Sequence, residues 1–213
     1  MTKIKILLVL VACVLGGCVT GTRNIAINVP DYADEKKASG NVYIGAVNDN
    51  RQFEQKPSAP STPSVKGDLN TTSKDTLSTL IGRQRNGYGA AMGDVALIEG
   101  VTVPDRVRAL IAESLESRGY TVVDDKNSPN KVTVDIAKFW AWFSPGMWAV
   151  SFESEVECGI EFDKNGTKKS FDVRGYGVNK GQVASDANWD LAYQRAFENF
   201  LENLDASLGK EGL

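Results

Sequence analysis

Val150-Ser151-Phe152-Glu153-Ser154-Glu155-Val156-Glu157-Cys158-Gly159-Ile160-Glu161-Phe162 is the stretch that decides the fold of this chain. Its even positions are mostly apolar, and Ser151, Glu153, Glu155, Glu157 and Glu161 occupy odd ones. Successive side chains of a strand point to opposite faces, so this alternation predicts a strand with one dry and one wet side. Trp148, Val150, Phe152, Val156, Cys158, Ile160 and Phe162 share the dry side. Asp163-Lys164-Asn165-Gly166 follows as a hairpin signal, and Thr167 to Val178 reads as the returning strand with Phe171 and Val173 inward. Lys168, Lys169 and Arg174 on that strand are the expected cross-strand neighbours of a solvated acidic face.

Working upstream, Val132, Val134 and Ile136 are apolar at even positions, and Ala137, Phe139, Ala141 and Phe143 then take over the odd ones. Such a phase change predicts a β-bulge near Ile136 to Lys138. Ser144-Pro145-Gly146 turns the chain into the acidic strand. Downstream, Ser185 and Asp186 suit an N-cap, and Trp189, Tyr193, Ala196, Phe197, Phe200, Leu201, Leu204 and Leu208 recur with helical spacing as far as Gly209. A second helix is expected from Pro104, through Val107, Leu110, Ile111 and Leu115, to a stop at Gly119, followed directly by a strand from Tyr120. The predicted fold class is α+β: a mostly antiparallel sheet with two helices packed on one face.

Further upstream, Asn24 to Val29 and Asn41 to Val47 read as two more strands. Residues from about 50 to 100 read instead as a long irregular insertion. Lys56 to Ser64 holds three Pro and three Ser in nine residues, and Gly82 to Gly89 holds three Gly in eight. Loops of that length are commonly functional, which makes the insertion a candidate contact surface.

At the start, Lys3 and Lys5 precede an apolar run from Ile4 to Leu15, which ends at Gly16-Gly17-Cys18. The run is short of the roughly 20 apolar residues that span a bilayer. Residues 1–17 are therefore expected to be a lipoprotein signal peptide, with Cys18 lipidated and residues 18–213 forming a single periplasmic α+β domain. Val19 rather than Asp after the Cys favours the outer membrane, so the expected address is lipid-anchored to that membrane and facing the periplasm.

Composition excludes several functions. The formal charge is −3, and removing Lys3 and Lys5 with the signal makes it more negative, so nucleic acid is not an expected partner. The sequence contains no His, which rules out Ser-His-Asp and Cys-His nucleophilic sites and the usual zinc ligand sets. No enzymatic activity, cofactor or metal is expected. Of the three Cys, Cys158 alone would remain free inside the folded chain, as a small core residue.

The segment Val107-Arg108-Ala109-Leu110-Ile111-Ala112-Glu113-Ser114-Leu115-Glu116-Ser117-Arg118-Gly119-Tyr120-Thr121-Val122, with the strand meander and the terminal helix, resembles the YajG family of uncharacterised bacterial lipoproteins. A helix ending in Arg118-Gly119-Tyr120 before a strand is also similar to the amino-terminal domain of TolB. The resemblance implies a TolB-like fold and an outer-membrane or periplasmic lipoprotein, and it brings no catalytic residue.

Two groups of residues are candidate partner contacts. Trp140, Trp142 and Trp148 cluster about a predicted turn, and one sheet face cannot bury large aromatics that point both ways. Arg83 and Arg85 flank Tyr88 in the Gly-rich stretch and could meet an anionic or aromatic surface. The expected role is a non-enzymatic accessory protein, held to the membrane at Cys18, that docks a protein partner in the envelope. The alternative is a peptidoglycan-binding module whose tryptophans stack on sugar rings.

Overall fold

The computed structural model of the chain describes residues 21–32, 39–86, 90–145, 150–181 and 185–213. In chain order they form β1 (Arg23–Ile25), β2 (Gly40–Asp49), α1 (Lys74–Thr79), β3 (Leu80–Arg85), β4 (Ala91–Leu97), α2 (Val103–Ser117), β5 (Tyr120–Val122), β6 (Asn130–Pro145), β7 (Val150–Lys164), β8 (Thr167–Gly181) and α3 (Asp186–Lys210). The strands make one 8-stranded sheet.

The meander β6–β7–β8 is its spine. β6 and β7 pair antiparallel along their whole lengths, with a register shift between Ile136 and Lys138 where the hydrophobic phase changes. Ala137 is the extra residue and is exposed, so Phe139 and Ala141 return to the core on the phase that Ile136 leaves. The β7–β8 connection has both Asn165 and Gly166 in the left-handed region, at φ 54 and 86. A two-residue hairpin needs that conformation to match the twist of its strands.

On its other edge β6 forks. Residues up to Ile136 pair in parallel with β2, whereas Ala141 pairs in parallel with Gly82 of β3. Carbonyls between the two partners would be left without a ladder. Arg51 fills the gap: its guanidinium donates to the carbonyls of Leu80 at 2.6 Å, Phe139 at 3.1 Å and Leu77 at 2.9 Å, and pairs with Asp49. Arg108 acts similarly at the irregularity of β2, donating to the carbonyls of Ile44 and Gly45.

The long pairings of the sheet, β6–β7 and β7–β8, are antiparallel as expected, and so is β3–β4, but the short pairings β1–β4, β2–β5, β2–β6 and β3–β6 run parallel, which makes the sheet mixed. Side-chain alternation is the same in either direction, so the pattern that found the strands could not orient them. The region from about 50 to 100 is irregular only as far as residue 73; beyond it lie α1, β3 and β4. Gly82 suggested a loop, yet it serves close backbone approach: a Cβ there would stand 2.8 Å from the Ala141 carbonyl oxygen.

Both long helices pack on one face of the sheet. α2 begins in a capping box, with Thr102 and Asp105 each bonded to the other's backbone N–H, and ends before Gly119 at φ 86. Ser185 caps α3, whose whole predicted stripe from Trp189 to Leu208 is buried. α3 lies so close over β8 that a Cβ on Gly175 or Gly177 would overlap the helix backbone at Ala196 or Ala192. It also closes the free edge of β8: Asn199 accepts from the Tyr176 N–H, while Asn203 and Arg195 donate to the carbonyls of Arg174 and Val178. Cys158 is buried in this core, and desolvation raises its thiol pKa, so it stays protonated and unreactive.

Candidate functional site

The opposite face of the sheet carries a second, smaller core of Val65, Leu80, Ala96, Trp140 and Trp142, against which Phe53, Leu69 and Leu77 pack. It exists because β6 presents tryptophans to one face at positions 140 and 142 while Phe139 and Ala141 face the helices. The irregular segment 51–73 covers it. Trp140 is fully buried, its ring meeting Phe53 edge-on at 5.9 Å and its indole N–H donating to the Pro60 carbonyl at 3.2 Å.

The aromatic platform read from the sequence is therefore corrected for Trp140 and Trp142, which are 0% and 7% exposed. They are the floor on which the insertion is built. Trp148 lies outside the described residues, as do Cys18 and Tyr88.

The wet side of β7 is also partly covered. Glu155 is buried and ion-paired with Lys138 at 2.7 Å and with Arg174, while Glu153 accepts from Ser144 and from the Tyr176 hydroxyl at 2.5 Å. Lys138 sits over the Trp142 ring at 5.5 Å. Lys168 meets Glu161 across the strands as expected, but Lys169 reaches Glu211 beyond α3 instead. This acidic row does not converge on a cation; its members are held apart by basic and hydroxyl partners.

Arg83 and Arg85 come together with residues the sequence reading did not single out. β3 and β4 pair antiparallel, which sets Arg83 opposite Asp94. Arg83 is 6% exposed and binds the Asp94 carboxylate at 3.0 Å, and the same carboxylate accepts from the Lys66 backbone N–H. Asp94 thereby ties the insertion to the sheet. Burial raises the pKa of Asp94 and lowers that of Arg83, and their mutual attraction opposes both shifts. The Arg83 Nε is buried without a hydrogen-bond partner.

Between the insertion and the β3–β4 pair opens a cleft of about 550 Å³. Its charged lining is entirely basic: Lys56, Lys66, Arg83 and Arg85. Lys56 and Lys66 are exposed, at the rim. No local pattern announces this set, because its members come from three separate stretches. The one usable signal was an acid, Asp94, between apolar neighbours in a strand-length run.

The chain belongs to the YajG-like family of uncharacterised lipoproteins: the family model Lipoprotein_16, described as "Uncharacterized lipoprotein", matches residues 95–204. The insertion and its cleft lie mostly outside the matched stretch. No curated protein matches significantly. Among solved structures, the chain is similar to protein XCC0632 from Xanthomonas campestris, assigned to DUF330, at 9% identity and a TM-score of 0.43, over 89% of this chain and 97% of that one. It is also similar to an uncharacterized protein at 10% identity and a TM-score of 0.40, over 90% and 99% respectively.

Proposed function

We propose that this lipoprotein is a non-enzymatic accessory protein of the cell envelope, anchored by an acylated Cys18 in the outer membrane and facing the periplasm, that docks a protein partner on the outer surface of segment 51–73. One observation carries the reading. A long stretch without regular structure is fixed in a single conformation by Arg51, by the Asp94 carboxylate and by the buried Trp140, and its outer side is left to solvent. Ordering such a stretch costs about 1–2 kcal/mol per residue in backbone entropy, and a rigid scaffold that presents an irregular loop is the usual architecture of a contact surface.

Stacking of peptidoglycan sugars on Trp140 or Trp142 forms no part of this reading, because neither ring is accessible. A photo-crosslinking side chain at Ala59, on the outer side of the segment, is expected to yield a discrete protein adduct in intact cells. The same group at Glu198, exposed on α3, is not. Identical adduct patterns from the two positions would remove segment 51–73 as the docking surface.

A further inference from the structure

The basic cleft stands out against the rest of the molecule. The chain is net acidic, yet four cations and no acid line this one depression, and Asp94 behind it pairs with Arg83. Arg83 and Arg85 are both partly desolvated, which lowers the pKa of each, and the Arg85 charge lowers that of Arg83 further. Guanidinium and ammonium groups converging on a cavity of this size suit a phosphate, which accepts charge-assisted hydrogen bonds from both.

The position of the cleft says where such a phosphate would come from. β1 runs parallel to β4 with Arg23 opposite Val95, so the chain enters the sheet beside the amino-terminal end of β4. At that end Gly93 has no Cβ to block the Gly21 carbonyl. Met92, one residue before Gly93, lines the cleft from the opposite face of the same strand. Two residues, Val19 and Thr20, separate Gly21 from Cys18, so the chain between them can reach at most about 11 Å. An acyl group on Cys18 would hold this end of the sheet against the lipid headgroups.

We propose that the Lys56, Lys66, Arg83 and Arg85 cleft binds the phosphodiester headgroup of an anionic lipid, and so orients an otherwise acidic protein on the membrane that anchors it. This rests on anchoring at Cys18. Each Lys or Arg at an anionic bilayer surface gains enough to change occupancy about fivefold, whereas the acidic remainder of the chain is repelled. Anchor and cleft together fix an orientation that a flexible tether alone would leave free.

The test uses the mature lipidated protein, beginning at Cys18, reconstituted in vesicles of phosphatidylcholine, with or without one part in three (~33%) of phosphatidylglycerol, a mole fraction at which anionic surface potentials are substantial. Amine-labelling rates are read by mass spectrometry at Lys56 and Lys66, with exposed Lys131 as the internal reference. Labelling of both rim lysines is expected to slow about fivefold or more in the anionic vesicles, and to recover at ~1 M salt, where screening acts within about 3 Å. Arg85→Gln should weaken the protection without altering flotation. Protein that floats with both vesicle types but labels at equal rates would overturn the headgroup site while leaving the anchor intact. Protein that fails to float at all would overturn the anchor itself. Equal protection by millimolar glycerol phosphate in neutral vesicles would reassign the cleft to a soluble phosphate and overturn the lipid assignment.

Discussion

Gly21 and Gly93 meet backbone to backbone: a Cβ on Gly93 would overlap the Gly21 carbonyl oxygen. The contact seats the first described residue of the chain on the edge of the sheet, two residues before β1 begins to pair with β4 at Arg23. No side-chain rotation can relieve an overlap with a carbonyl. Gly93→Ala is expected to cost about 1–3 kcal/mol in urea unfolding and to speed proteolysis near residue 25. Gly209→Ala, where an added Cβ meets nothing, is the matched control and should be neutral or slightly stabilising.

Arg51 is expected to be among the least replaceable charged residues. It is 6% exposed and donates to the main-chain carbonyls of Leu77, Leu80 and Phe139. Arg51→Met should destabilise by about 3 kcal/mol, because it removes those three hydrogen bonds and leaves Asp49 without its cation. Arg51→Lys should recover less than half of the loss, since an ammonium cannot span acceptors arranged around a planar fork. Chemical denaturation of the two variants at one pH checks both statements.

Trp140→Ala should cost about 3–5 kcal/mol by the cavity it leaves in the second core. The loss should be local first. Segment 51–73 would become the earliest site of limited proteolysis while the α2 and α3 amides keep their hydrogen-exchange protection. Trp140→Phe keeps much of the volume but drops the bond to Pro60, and is expected to fall between wild type and Trp140→Ala.

Tyr176 supplies a prediction with a sign. Burial and the Glu153 carboxylate that accepts its O–H raise the phenol to about 12 from an ordinary value of 10.0. Between those two pH values the folded protein holds a proton that the unfolded chain has released. The stability contributed by the O–H···Glu153 bond is thus fully present below pH 10 and is lost as pH rises through about 12. Absorbance titration of tyrosinate should show a late step that disappears in Tyr176→Phe, and Glu153→Gln should move that step to lower pH.

Much of the fold was legible because alternation and helical spacing are local. The bulge after Ile136, the Asn165-Gly166 turn, the Ser185 cap and the α3 stripe all follow from short-range patterns. Strand direction was not legible, since it depends on how the connections cross and not on which side chains point inward. β3 and β4 were hidden by their glycines, whose role is set by partners far along the chain: Gly82 by Ala141, Gly93 by Gly21. Gly175 and Gly177 likewise read as ordinary strand residues, although they let α3 lie on β8. The site followed the same rule. Arg83 and Arg85 could be picked out as a pair of like charges, but Lys56, Lys66 and Asp94 joined them only through the folding of segment 51–73 over the tryptophans.

Anchoring of this folded domain to the envelope is most directly tested by intact-mass and amino-terminal peptide mass spectrometry of the protein extracted from native membranes. The expected product begins at Cys18 and carries acyl chains on its amine and its sulfur. A mature chain that retains residues 1–17, with an unmodified Cys18 thiol, would contradict it.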